Sequence, residues 1–300
     1  MVTPYRYIWK NGTFTKWDQG TTHVMNPSMH YGIAAFEGIR FYSTPRGPAI
    51  FRLHDHLTRF FYSMNVLGMP IEYNSQQLGS AIINLIRDNN MIEGYIRPIA
   101  WFSEEKIGLH NAGCAASIQI ALFDWNDTGK DTFNVRLSPF QRINPATTDI
   151  EAKISGHYVN THLALLDASK NGFDDAILLD QDNYVAEASA ANIFCVKNGV
   201  VFTPLRGTIL NGITRQTVMR LAWERKVDEI YIHTRLLLGS DEVFLCGTAY
   251  EIKPIVRIEQ TIIGDGTPGP FTKWIQKQYY NAVHGELPEH QNWLTYVNNR

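Results

Sequence analysis

The chain has 300 residues, 44% apolar or aromatic and 19% charged, the balance of a soluble globular protein with one large domain or two ordinary ones. A net charge of −2 gives no electrostatic reason for nucleic acid or an anionic membrane as partner. No apolar run approaches membrane-spanning length, Met1–Arg6 lacks the apolar stretch of a signal peptide, and the three cysteines (Cys114, Cys195, Cys246) are widely spaced. These features predict a cytoplasmic protein without a disulfide framework or a metal site, in which the sequons at Asn11 and Asn126 carry no meaning.

In chain order, 7–10 and 13–16 flank Asn11-Gly12, a two-residue hairpin signal. Residues 39–43 and 49–53 predict a second hairpin around the turn 44–48. From 54 to 67, Leu57, Phe60, Phe61 and Met64 recur at helical spacing before Gly68, and 75–90 repeats the pattern with Leu78, Ile82, Leu85 and Ile86. Segments 95–102 and 116–125 are dense in β-branched and aromatic residues and predict buried strands. The polar stretch from Asn126 places a domain boundary there: a small N-terminal domain over 1–125, an interdomain loop over 126–133 and a large C-terminal domain over 134–300.

In the second half, 135–137, 176–179 and 242–246 predict strands, and 193–197 pairs with 200–203 around Asn198-Gly199. Helices are expected over 158–170, 214–225 and 271–283. Strands and helices mix without regular βαβ alternation, so the fold class is α+β. Gly264-Asp265-Gly266-Thr267-Pro268-Gly269 matches a dinucleotide fingerprint, but no second strand completes the βαβ unit that the motif requires.

The residues that carry chemistry are spaced along the second half. Lys153 stands in Glu151-Ala152-Lys153-Ile154-Ser155-Gly156-His157-Tyr158, and Glu187 in Val185-Ala186-Glu187-Ala188-Ser189-Ala190-Ala191-Asn192. Asn211-Gly212-Ile213-Thr214-Arg215 opens a helix, and Gly247-Thr248-Ala249 follows a strand. A lysine, an acid and two hydroxyl-bearing turns are the parts that hold a pyridoxal phosphate: the lysine attaches the aldehyde, the acid partners the ring nitrogen, and the turns receive the phosphate. The helix opening at Gly212 offers N–H groups, a positive dipole end and the Thr214 hydroxyl. Taken singly, Lys153 reads as a surface lysine, Tyr158 as a core aromatic, Glu187 as a strand-end acid facing water, and Thr214 as an ordinary cap. Arg59 falls with Asp55, His56 and Ser63 opposite the apolar face of its helix, which reads as a solvated arginine. Tyr95 and Arg97 share one face of a strand, and Tyr31, Phe36 and Trp125 are candidates for the aromatic wall of a substrate pocket.

The order and spacing of these motifs, from His30-Tyr31-Gly32 to the last helix, resemble the branched-chain amino acid aminotransferases of the fold type IV pyridoxal-phosphate enzymes. The resemblance implies a two-domain α+β fold and amino-group exchange between leucine, isoleucine or valine and 2-oxoglutarate, with amino acids and 2-oxo acids as its small-molecule partners. It implies Lys153 as the catalytic lysine and Tyr158 on the phenolic oxygen of the cofactor. It overrides the helix wheel by giving the phosphate to Arg59, and adds Leu210, Ile213, Thr214 and Thr248 to the cofactor set. Arg97 would meet the distal carboxylate of glutamate, Tyr95 would help hold the α-carboxylate, and Thr248-Ala249 would serve phosphate and carboxylate. Arg40 is family-like without an assigned role. Ile107-Gly108-Leu109 resembles a loop that closes the pocket of the neighbouring subunit in a homodimer or higher assembly. The chain departs from the pattern at Ala191, Asn211 and Thr128, where relatives often carry an acid, a proline and an aromatic cap. A D-amino acid aminotransferase or aminodeoxychorismate lyase of the same fold is the alternative; the D-specific Arg-x-His-His cluster is missing from the sequence.

Overall fold

The computed structural model describes residues 5–125 and 129–298, so Met1–Pro4, the Asn126 sequon and Thr128 lie outside the described residues. The chain forms two compact units: Met1–Asn126 with Ala152–Gly156 and Ala282–Arg300, and Asp127–Glu151 with His157–Asn281. This corrects the expected division in two stretches. Ile154 bridges to Ala35, which draws the Lys153 segment into the first unit. The last strand also pairs there, so the chain end returns to the first unit.

In the first unit, β1 (Tyr7–Lys10) and β2 (Thr13–Lys16) turn at Asn11-Gly12, whose φ values of 45° and 89° are the positive pair that a tight two-residue hairpin demands. A short helix α1 (Pro27–Tyr31), capped by the Asn26 side chain on Met29 N–H, precedes β3 (Ala34–Phe36), β4 (Ile39–Tyr42) and β5 (Ala49–Phe51). Helices α2 (Leu53–Val66) and α3 (Ser75–Asp88) follow, the second opened by an Asn74–Gln77 capping box. Then come β6 (Gly94–Phe102), β7 (Ala116–Phe123) and, at the far end of the chain, β17 (Leu294–Tyr296). Among the described residues these strands make one antiparallel sheet in the order β17-β5-β4-β6-β7-β1-β2, with β3 also on β6. The apolar stripes of α2 and α3 (Leu57, Phe60, Met64; Leu78, Ile82, Leu85) bury themselves with Ile39, Phe41, Ile50 and Ile96 of the sheet. Truncating Phe60 to alanine in such a core costs about 3–5 kcal/mol.

The second unit contains β8 (Phe133–Leu137), α4 (Tyr158–Lys170), β9 (Asp175–Leu179), β10 (Val185–Ala188), β11 (Asn192–Lys197) and β12 (Val200–Pro204). It continues through α5 (Ile213–Leu221), β13 (Val227–Ile230), α6 (Thr234–Leu238), β14 (Glu242–Gly247), β15 (Glu251–Ile258), β16 (Thr261–Ile262) and most of α7 (Pro270–Val283). Its sheet is mixed, in the order β10-β9-β8-β15-β14-β11-β12-β13, with β16 on β15. The expected helix over 214–225 ends at Leu221 and passes into a 3-10 turn over Trp223–Arg225. The sequence pattern does not anticipate β15, whose Pro254 argues against a central strand. The strand accommodates it opposite Phe244, one residue before a register irregularity toward β8. Among the described residues, no helix is long and apolar enough to cross a membrane.

Candidate active site

In the first unit the site grows from α2, which buries two faces rather than one. Opposite its apolar stripe, His56 and Ser63 are buried and the Arg59 side chain is only 13% exposed. The solvated reading of Arg59 is therefore corrected. Its polar face is covered because Glu37, fully buried between β3 and β4, needs donors there. Arg59 Nε donates to Glu37 Oε1 at 2.5 Å and Nη2 to Oε2 at 2.9 Å, with His56 Nδ1 2.8 Å from Oε2. Burial would raise the Glu37 carboxyl, but the Arg59 charge and then His56 outweigh it and hold it well below the usual carboxylate range. Burial lowers the pKa of His56 against the pull of Glu37, whose carboxylate lies beside its Nδ1.

Lys153 lies on the same unit. Its N–H donates to Ser63 Oγ at 2.8 Å, its carbonyl accepts from Phe36 N–H at 3.1 Å, and Nζ lies 5.0 Å from the Phe36 ring centre. The adjoining turn is tight: Gly156 N–H donates to Gly32 O, and a Cβ on Gly32 would come within 3.0 Å of Gly156 Cα. Next to Phe36, the guanidinium of Arg97 lies 5.1 Å from the Phe36 ring and 5.4 Å from the Tyr95 ring. Tyr95 in turn stacks on Phe123 at 5.0 Å and Trp125 at 4.7 Å. Gly38 makes room for Tyr95, since a Cβ there would fall 1.8 Å from its hydroxyl. Arg97 Nε is buried without a hydrogen-bond partner among the described residues. The structure thus brings Lys153, Phe36, Tyr95, Arg97 and Trp125 together. Tyr31, Ile107 and Leu109 are instead exposed, at 40%, 61% and 72%.

In the second unit Glu187 is buried, not the water-facing strand end that its position suggests. A register irregularity between Val185 and Glu187 on β10 accompanies that placement. Arg142 Nε donates to Oε1 at 2.6 Å; Asn192 Nδ2 and Leu210 N–H donate to Oε2 at 3.1 and 3.2 Å. Asn192 also donates to the Leu210 carbonyl at 2.9 Å, and its Oδ1 occupies the space where a Cβ on Gly212 would stand, 2.1 Å away. Glu187 is thereby tied to the loop that opens α5. The N-cap of α5 is Gly212, with no side-chain cap, so the reading of Thr214 as the cap does not hold; Thr214 is buried in the first turn. Tyr158 starts α4 beside His157, whose Nε2 is 2.8 Å from Thr148 Oγ1. Thr248 and Ala249 lie in the turn between β14 and β15. Arg142 and Asn192 were not anticipated. Asn192 lies in the motif around Glu187, whereas Arg142 carries no local signal, although a buried carboxylate demands such a partner from somewhere in the fold.

The glycine-rich segment leads into α7, whose first N–H groups already have an acceptor. Glu242 fills that helix start, accepting from Phe271 N–H at 3.0 Å and from the Thr272 N–H and hydroxyl at 2.7 Å each.

Residues 34–258 match the model of the amino-transferase class IV family. The branched-chain-amino-acid aminotransferase of Pseudomonas aeruginosa is 38% identical, and that of Escherichia coli K12 34%, each over 97% of this chain and 97% of the relative. The T.th. branched-chain amino acid aminotransferase complexed with N-(5'-phosphopyridoxyl)-L-glutamate superposes with a TM-score of 0.95 at 38% identity, covering 98% of this chain and 99% of that one. The same enzyme has been solved with 4-methylvaleric acid, at a TM-score of 0.94, 38% identity and the same coverage. The chain therefore belongs to the class IV aminotransferases, alongside the branched-chain-amino-acid aminotransferases.

Proposed function

We propose that this protein is a pyridoxal-phosphate-dependent aminotransferase that exchanges the amino group between L-leucine, L-isoleucine or L-valine and 2-oxoglutarate, giving 2-oxo acids and L-glutamate. The observation that carries the substrate reading is Arg97 set against Phe36 and Tyr95, a carboxylate-binding fork within an aromatic wall. The T.th. relative supports it, having been solved with a glutamate adduct and with an acid bearing leucine's branched skeleton.

The donor set fits the cofactor. A buried carboxylate with its own cation is suited to a pyridine N–H, and a helix start with no side-chain cap and a buried hydroxyl is suited to a phosphate. Lys153 would attach the cofactor, Glu187 would hold its ring nitrogen, and Tyr158 its phenolic oxygen. Arg59, Leu210, Ile213, Thr214 and Thr248 would hold the rest, the phosphate foremost. When bound, the cofactor supplies an electron sink for the bond broken at the substrate Cα. Lys153 would be the base that takes the Cα proton, work that only a free amine can do. The Phe36 ring flanks that amine. Tyr95 and Ala249 would hold the α-carboxylate, with Trp125 closing the wall.

The working form is a cytoplasmic homodimer or higher homo-oligomer. The exposure of Tyr31, Ile107 and Leu109 supports their service in a neighbouring subunit's pocket. Half-reactions test the assignment: L-leucine alone, and L-glutamate alone, should each discharge the visible absorbance of the loaded enzyme. Lys153→Ala should keep weak cofactor binding and lose transfer almost entirely; normal turnover by that variant removes the central assignment.

A further inference from the structure

Phe36, Glu37, Arg59 and Ser63 of the first unit close a ring of contacts with Lys153. Phe36 N–H donates to the Lys153 carbonyl at 3.1 Å, and Glu37, next in the chain, holds the Arg59 guanidinium. One turn on from Arg59, Ser63 Oγ donates to the Arg59 carbonyl at 2.8 Å and accepts from Lys153 N–H at 2.8 Å. A mid-helix serine bonded to the carbonyl four residues back is a common local feature. The second bond is not local, because it ties α2, at the buried Ser63, to a segment ninety positions later. A hydroxyl has one proton and two lone pairs. With the proton given to Arg59 O, a lone pair is directed to Lys153, so the orientation is set by the helix itself.

We propose that Ser63 is a positioning residue for Lys153, anchoring the lysine backbone to the same helical turn that carries Arg59. The proposal rests on the reading of Lys153 as the cofactor-attaching lysine. A lysine side chain has several rotatable bonds, so the amine is placed only if its backbone and its tip are both held. Ser63 and the Phe36 N–H hold the backbone, and the Phe36 ring flanks the tip.

The test measures affinities of the apoprotein for pyridoxal phosphate and for pyridoxamine phosphate, which carries an amine in place of the aldehyde and cannot be attached by a lysine. Parent, Ser63→Ala, Lys153→Ala and the double variant are compared. Loss of a buried acceptor should weaken pyridoxal phosphate binding by about 10-fold in Ser63→Ala and leave pyridoxamine phosphate within about 2-fold. Ser63→Ala should add nothing in the Lys153→Ala background, as a residue acting only through the lysine must. Equal losses for both ligands, or an undiminished loss without Lys153, would overturn the proposal and make Ser63 a structural prop of α2. If Lys153→Ala binds pyridoxal phosphate as tightly as the parent, the assignment of Lys153 fails, and Ser63 fails with it. Should Ser63→Ala not fold, Ser63→Cys, which keeps the volume and bonds weakly, is judged by the same outcomes.

Discussion

The Glu37 carboxylate receives both the Nε–H and the Nη2–H of Arg59, at 2.5 and 2.9 Å, so the fork assigned to a phosphate is oriented from behind by a buried acid. Arg59→Ala should consequently have two effects. The cofactor requirement should rise by at least ~10-fold, the range for a hydrogen bond to a charged group. The apoprotein should also lose about 3–5 kcal/mol, because Glu37 is left buried without its cation. Equilibrium dialysis and urea unfolding read the two separately, and the relative rates of leucine and glutamate should stay unchanged. A variant that retains cofactor as the parent does, yet unfolds earlier, would show that Arg59 serves Glu37 alone.

Glu187→Gln is expected to slow transfer by at least ~10-fold, about 1.4 kcal/mol in barrier, since a neutral amide cannot hold the ring proton. The same change leaves the buried Arg142 facing an amide, so the apoprotein should also be less stable. Turnover at saturating cofactor separates chemistry from retention. A Glu187→Gln enzyme as fast as the parent would make the acid a partner of Arg142 and nothing more.

What could be read ahead follows from the range of the interaction that decides each feature. The Asn11-Gly12 and Asn198-Gly199 hairpins are legible because positive φ at adjacent residues is a local demand, met at 51° and 77° in the second. The α2 helix is legible, but not its second buried face: periodicity separates apolar from polar and cannot tell water from Glu37 across a strand connection. Arg142 and Glu187 lie forty-five positions apart, and only the fold joins them. Nothing local marks β15, whose Pro254 pairs opposite Phe244 inside a mixed sheet where such a residue is unusual. Lys153, Glu187 and the α5 turn are singled out by the resemblance of their spacing to the family's, and their roles are the proposal made above.

Asp175 yields a pH prediction. Burial pushes its carboxyl up to about 6, against hydrogen bonds from Ser189 and the Ala176 N–H that favour the charged form. The folded protein therefore binds this proton more tightly than the unfolded chain, whose aspartate keeps its ordinary 3.8. For this group, stability is greatest below pH ~4, falls as pH rises toward 6, and stays low above it. Between pH 5 and 8 the loss from this one site should be about 1–2 kcal/mol. Asp175→Asn removes that dependence, so its urea midpoint should gain on the parent's as pH rises from 5 to 8. A constant gap between the two proteins would mean that Asp175 does not titrate in this range.

Arg97 bears on how one pocket accepts both an aliphatic side chain and a carboxylate of similar length. An isolated charge beside leucine would be costly. The structure sets the guanidinium 5.1 Å from the Phe36 ring and 5.4 Å from the Tyr95 ring, with Nη2 at 3.5 Å from the Tyr95 hydroxyl. Aromatic faces attract such a cation by about 0.5–2 kcal/mol, which steadies it when no carboxylate is present and leaves an apolar wall for leucine. Its buried Nε lacks a partner among the described residues, so a distal carboxylate would gain a donor already stripped of water. Arg97→Ala should weaken the glutamate and 2-oxoglutarate half-reaction by about 1.5–3 kcal/mol, and leave the leucine half-reaction within a few fold. Arg97→Lys, a point charge without the planar fork, should recover only part of the glutamate loss. Single-turnover rates with each amino acid measure both. Equal losses for leucine and glutamate would assign Arg97 to the shared α-carboxylate or to the packing of Phe36 and Tyr95, and the division of labour within the pocket would have to be redrawn.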